Sequence, residues 1–274
     1  MIDLMIRDGM SFALPLFIMA IGGIYCERSG IVNLCLEGFQ GVGAFTGALA
    51  ALLVTDYFVS GSQLPFYIAV FFAMIGGGVF SLIHALLCLK FKAKQSVSGV
   101  VVNILASSLT LFLTKFLNTN LFGRASDKFA LNVVKRITIP GLSEIPVLGA
   151  FFTEIYPYNF IITAVAVLAW YVLYRTKFGM DLRACGEMPQ AVDAAGVSVV
   201  RVQLIAIVVS GALSGIAGIC FAYSVSASFS SAIFMGYGYL SIASLIFGNW
   251  KILPTLVSCL IFGFARSGGY VIVR

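Results

Sequence analysis

Charge is scarce in this sequence. Asp, Glu, Lys and Arg make up 10% of its 274 residues, where soluble domains carry about 25%. That deficit excludes a soluble globular protein. With a mean hydropathy of +1.03, it points to an all-α polytopic membrane protein, with one membrane domain over residues 1–274. Histidine is nearly missing. A single His84 argues against His-based metal sites and proton relays. No CxxC pair occurs among Cys26, Cys35, Cys88, Cys185, Cys220 and Cys259. Most of these lie in apolar runs, where cysteine acts as a small hydrophobe. No paired nucleophile and base is evident, which argues against an intramembrane enzyme. The N-terminus carries Asp3 and Asp8 and lacks a basic leader region, so no cleavable signal is expected. The net charge of +6 does not call for nucleic acid. The basic residues sit between apolar runs, as residues that set membrane orientation do.

What the sequence has is long uncharged runs: 9–26, 38–55, 57–89, 95–114, 155–174, 202–250 and 252–265. A helix needs about 20 apolar residues to cross a bilayer. The run 202–250 is long enough for two crossings, with a turn near Gly236-Tyr237-Gly238. The run 252–265 is short and reads as a tilted or re-entrant segment. The expectation is about eight transmembrane helices, some broken or re-entrant. Lys90, Lys92 and Lys94 form one basic cluster, and Arg175, Lys177, Arg183 and Arg201 form another. The positive-inside rule puts both in the cytoplasm. The N-terminus and a loop over 115–154 then lie outside.

Glycine is frequent, at 28 residues. Gly43 with Gly47, and Gly211 with Gly215 and Gly218, have the spacing of tight helix packing. Gly76-Gly77-Gly78 reads as packing or as a flexible point.

Polar residues inside apolar runs should face protein or a wet cavity. Asn33, Glu37 and Gln40 are spaced i, i+4, i+7 and would share one helix face. That face could bind a solute, cap a broken helix or join two helices. Asn103 and Ser107 are spaced i, i+4 on an otherwise apolar run and suggest a narrow polar stripe. Glu37 is the one charge expected near mid-membrane. The lack of others there argues for an external energy source over ion coupling. His84 reads as a packing residue.

Residues 175–201 form a polar interruption too hydrophilic to insert. Pro189 suits the first turn of a helix, and Gly196 can end one in the left-handed conformation. A helix of about two turns is expected, exposing Glu187, Gln190 and Asp193 beside small Ala191, Ala194 and Ala195.

The stretch Arg183-Ala-Cys-Gly186-Glu187-Met-Pro189-Gln-Ala191-Val-Asp-Ala-Ala195-Gly196-Val resembles the coupling loop of ABC importer permeases. It is similar to the version found in permeases for branched-chain amino acids, simple sugars and nucleosides. Glu27-Arg28-Ser29-Gly30-Ile31-Val32-Asn33-Leu34-Cys35-Leu36-Glu37-Gly38 resembles the nucleoside branch of that family, as does Ser98-Gly99-Val-Val-Val-Asn103-Ile-Leu-Ala. The matches run in order from 27 to 196. Cys35 departs from the pattern, standing where a glycine is expected. The chain also ends at Arg274, soon after the short last run, so the expectation is either an altered final helix or an abbreviated chain.

The resemblance implies a subunit of an ATP-driven nucleoside importer in the bacterial cytoplasmic (inner) membrane. A simple-sugar or branched-chain amino-acid importer and a stand-alone secondary carrier are the alternatives. It implies a cytoplasmic ATPase that holds ATP and Mg, with no cofactor and no covalent chemistry in this chain. It implies a second, larger paralogous permease subunit and an extracytoplasmic substrate-binding lipoprotein. Gly186, Glu187, Pro189, Ala191, Ala195 and Gly196 would seat in the ATPase. Asn33, Glu37, Gln40, Asn103 and Ser107 are candidates for the solute path.

Overall fold

A computed structural model describes residues 2–55, 57–58, 62–132, 134, 136–138, 153–230 and 236–273, with the side chains of 2–4 and 270–273 left aside. The order is α1 (Ile2–Arg28), α2 (Leu36–Thr55), α3 (Leu64–Ala85), α4 (Gln95–Leu121), β1 (Phe129–Ala130), α5 (Tyr158–Arg175), α6 (Lys177–Glu187), α7 (Pro189–Ala194), α8 (Val199–Phe221), β2 (Ser228–Phe229), α9 (Tyr237–Phe247) and α10 (Ile252–Val273). Single π-helical turns extend α3 to Lys90 and α8 to Ser226. Among the described residues, seven helices are long and apolar enough to cross a membrane, and α9 is a shorter apolar helix. In such a setting every backbone N–H and C=O needs an internal partner, which favours helices.

α1 is the axis of the fold, with nearly all of its apolar stretch buried. It packs on α8, α10 and α9, with α5 and α6 alongside. α2, α3 and α8 form a second tightly packed group. Its closeness comes from glycine. A side chain on Gly43 would strike the Gly215 backbone, and one on Gly215 would strike the Ala73 carbonyl. Gly76 and Gly77 serve the same contacts, against Thr46 and Gly211. The triple glycine is thus packing surface inside a continuous α3, with Gly77 and Gly78 buried and Gly76 half-buried, and no break occurs there. Without hydrophobic drive between helices in lipid, such close approach is what holds them together.

Three expectations need correction. The run 202–250 does not give two full helices. α8 crosses, β2 pairs antiparallel with β1 in the register Phe129↔Phe229, and the return is completed by α9, an 11-residue helix. The lack of charge in this run reports apolar surroundings, and a break in the helix leaves that signal untouched. The run 252–265 is no short segment, because α10 continues for 22 residues through Arg266. The guanidinium of Arg266 lies 4.3 Å over the Phe12 ring, a contact that shelters the charge from hydrocarbon. Finally, the loop expected over 115–154 begins later, since α4 runs to Leu121. Residues 139–152 of that loop lie outside the described residues.

Candidate functional site

Two regions carry the polar residues singled out above. The first is the surface built by α6 and α7. Thr176 caps α6, its hydroxyl accepting from the Gly179 N–H at 3.2 Å. The polar segment is therefore two short helices in sequence. Gly186 and Glu187 end α6, while Pro189 opens α7 as its first residue. Gly196 follows with φ of +81°, the left-handed stop that glycine allows without strain. Val192 is buried and anchors α7, while Glu187, Pro189, Gln190, Ala191, Asp193, Ala195 and Gly196 are exposed. α6 meets the end of α1 through Gly186, where a side chain would strike the Arg28 carbonyl. Around that contact, Arg28 donates through Nε to the Trp250 carbonyl at 3.3 Å, and Trp250 donates through its indole N–H to Glu27 at 2.5 Å. The ends of α1, α6 and the α9–α10 turn are thereby tied together. Burial pushes the Cys185 thiol up, with Asp181 adding to the effect.

The second region is where two helices begin inside the apolar layer. After Arg28 the chain has no regular secondary structure over 31–35, and α2 starts only at Leu36. Asn33 is therefore not on a helix face with Glu37 and Gln40, contrary to its spacing. Its carbonyl accepts from the Cys35 N–H at 2.9 Å, and its amide donates to Ser210 on α8 at 2.8 Å. That local bond replaces the helical one and explains the late start of α2. Asn103 on α4 completes the repair. Its carbonyl accepts from the Gly38 N–H at 2.8 Å, and its amide donates to the Leu34 carbonyl at 2.7 Å and the Tyr239 hydroxyl at 3.3 Å.

α9 starts beside it. Both carboxylate oxygens of Glu37 accept from the Gly236 N–H, each at 3.0 Å. A carboxylate on a helix N-terminus satisfies open donors and faces the positive end of the dipole. Gly238 packs directly on Glu37, where a side chain would overlap it. Glu37 and Asn103 are half-buried and Tyr239 is 49% exposed, so this junction faces outward from the chain. Beside it, a side chain added at Gly41 would meet open space. Gln40 is fully buried, and among the described residues neither amide atom has a hydrogen-bond partner. Ser107 does not join the cluster. It is exposed on α4 and bonds back to the Ile104 carbonyl at 3.0 Å. His84 is buried and bonded to Ser98 Oγ at 2.9 Å, as a packing histidine would be.

Comparison with known proteins fits this architecture. The family described as "Branched-chain amino acid transport system / permease component" matches residues 5–274. The chain belongs to that permease family. The chain is 36% identical to the guanosine ABC transporter permease protein NupQ of Bacillus subtilis (strain 168), over 97% of this chain and 82% of that one. It is also 36% identical to the nucleoside ABC transporter permease protein NupC of Lactococcus lactis subsp. cremoris (strain MG1363), with the same coverage. A putative glucose ABC transporter permease protein, TsgC13 of Haloferax volcanii, is 26% identical over 92% of this chain and 72% of its own length. No solved structure matches.

The permease has a further charge beside this junction. Arg266 lies inside the membrane-spanning stretch of α10. Besides Phe12, it approaches Tyr237 of α9, donating to the hydroxyl at 3.4 Å. Glu37 is therefore not alone at depth. The two charges bracket the start of α9, one at Gly236 and the other at Tyr237. In the sequence Arg266 closes the uncharged run 252–265, and its contacts to Phe12 and Tyr237 come from other helices and leave no local trace.

Proposed function

We propose that this permease is the transmembrane subunit of an ATP-driven importer that carries nucleosides across the bacterial cytoplasmic membrane. The observation that carries the reading is α7, a short helix stopped at both ends, exposed along its small-residue face and rigidly seated on α1 through α6. A surface of that kind transmits a push from a partner without changing shape. The partner is an ATPase that holds ATP and Mg. It grips Glu187, Pro189, Ala191, Ala195 and Gly196, while Gly186 passes the movement to the end of α1.

In this reading the solute path runs along the outward face of the helix junction, completed by a second, larger permease subunit. A lipoprotein delivers the nucleoside from outside. Glu37, Asn103 and Tyr239 form the wall, with Ser107 further along α4. Asn33 and Gln40, both fully buried, stand behind that wall. Glu37 is engaged as a helix cap, so the wall offers an uncharged solute polar groups without a free carboxylate. That engagement also removes the main support for an ion-coupled carrier, which needs an intramembrane carboxylate to titrate. This chain performs no covalent chemistry.

The test is uptake of radiolabelled nucleoside by cells carrying Glu187→Arg. ATP-driven uptake is expected to vanish while the amount of protein in the membrane stays unchanged. Normal uptake would refute the coupling role. Binding of the partner lipoprotein to nucleosides, sugars and branched-chain amino acids tests the cargo separately. Tight binding of a sugar alone would refute the nucleoside assignment.

A further inference from the structure

Four cations line one open cavity at the α6 end of the molecule. Arg28, Arg175, Arg183 and Lys251 surround a space of about 780 Å³, with Trp170 and Tyr174 beside them and Glu187 as its one acidic residue. Among the described residues, none of the four lies within ion-pair distance of a carboxylate. The described ion pairs are Arg7–Glu154 and Arg136–Glu154. The Arg175 guanidinium lies 5.8 Å over Trp170, and that of Arg183 lies 5.6 Å over Tyr174. Arg28 and Arg183 spend only Nε–H on backbone carbonyls, of Trp250 and Gly179. Among the described residues, their terminal nitrogens make no hydrogen bond or ion pair.

An apolar groove of about 280 Å³ adjoins this cavity between α1, α5 and α10. Leu14, Phe17, Ile162, Ala166, Val167 and Leu256 form its sides. The two spaces share Trp170, Ile252 and Leu253, so the basic cavity opens into the apolar slot. Trp170 lies near the end of α5, a position where tryptophan prefers the boundary between headgroups and hydrocarbon. Basic pockets between membrane helices favour anionic lipid headgroups. Cations in excess over acids, continuous with an apolar slot, are complementary to an amphiphile with an anionic head and an acyl chain.

We propose that this cavity and groove form a specific site for one anionic phospholipid, its phosphodiester held by Arg28, Arg175, Arg183 and Lys251 and one acyl chain lying against Ala166 and Val167. Arg183 sits one turn before Glu187 on α6. The bound headgroup therefore braces the helix that leads into the exposed α7 surface. The inference stands independently of what the permease carries.

The experiment is native mass spectrometry of the full-length chain, alone and in its intact importer, titrated with phosphatidylglycerol or phosphatidylcholine. One phosphatidylglycerol retained per copy is expected, with roughly tenfold preference over phosphatidylcholine. Arg175→Gln and Arg183→Gln should each weaken retention roughly fivefold. Val167→Trp, an exposed position, should fill the slot and abolish retention without disturbing the core. Free glycerol phosphate should not compete. Equal retention of the two lipids, indifference to all three variants, or full competition by glycerol phosphate would overturn the site. So would efficient cross-linking of Val167→Cys to another subunit, which would show a protein covering the groove.

Discussion

The helix junction and the α6–α7 surface are both polar, yet they are polar for opposite reasons. At the junction, Asn33, Asn103 and Glu37 spend their side chains on backbone groups exposed by two interrupted helices. Around α7, among the described residues, Glu187, Gln190 and Asp193 make no side-chain hydrogen bond or ion pair, and Val192 alone of the helix is buried. The contrast separates residues that complete this fold from residues left over for something else. In a membrane protein that difference is sharp, because an unpaired polar group inside the apolar layer is costly.

Substitutions should therefore divide by region. The largest loss of stability is expected for Gly215→Leu, where the new side chain meets the Ala73 backbone. Helices α3 and α8 must separate, at about 3 kcal/mol or more, read as loss of monodisperse protein. Asn103→Leu strands the Leu34 carbonyl and the Gly38 N–H and should cost about 2 kcal/mol, read as a lower melting temperature in detergent. Glu37→Leu removes the cap of α9 and should cost about 1 kcal/mol, with Glu37→Gln retaining most of it. A large effect of Glu37→Gln would instead make the charge itself essential and blur the contrast. Gln40→Met should raise stability by about 1 kcal/mol, because it removes a buried amide without partners. Higher stability with lost uptake would move Gln40 from behind the wall into the path. Ala191→Trp should change stability by less than about 0.5 kcal/mol while stopping uptake.

The sequence displayed the spans well and the breaks poorly. Long uncharged runs locate α1 to α5 and α8 because burial in lipid is a property of composition. Asn33 shows why the breaks were hidden. Its i, i+4 spacing to Glu37 is helical, but its short side chain bonds the Cys35 N–H and unwinds the chain locally. α9 was hidden because its start is capped by Glu37, about 200 residues away in the chain. Arg266 was hidden because its partners, Phe12 and Tyr237, lie on other helices. The α7 surface was legible for the reverse reason. Its features are local, from Pro189 at the start to Gly196 at the stop, and they need no distant partner to be recognised.

All six native cysteines are buried, and the raised thiol of Cys185 further slows its reaction with alkylating probes. A cysteine placed at Gln190 is therefore the reactive thiol at the surface. Tyr57, 85% exposed beyond the far end of α2, is the matching control. The most direct test of the coupling role is cysteine cross-linking in membranes that contain the whole importer. The account predicts an adduct between Gln190→Cys and the ATPase, and none from Tyr57→Cys. Absence of the Gln190→Cys adduct, or an equal yield from Tyr57→Cys, would contradict it.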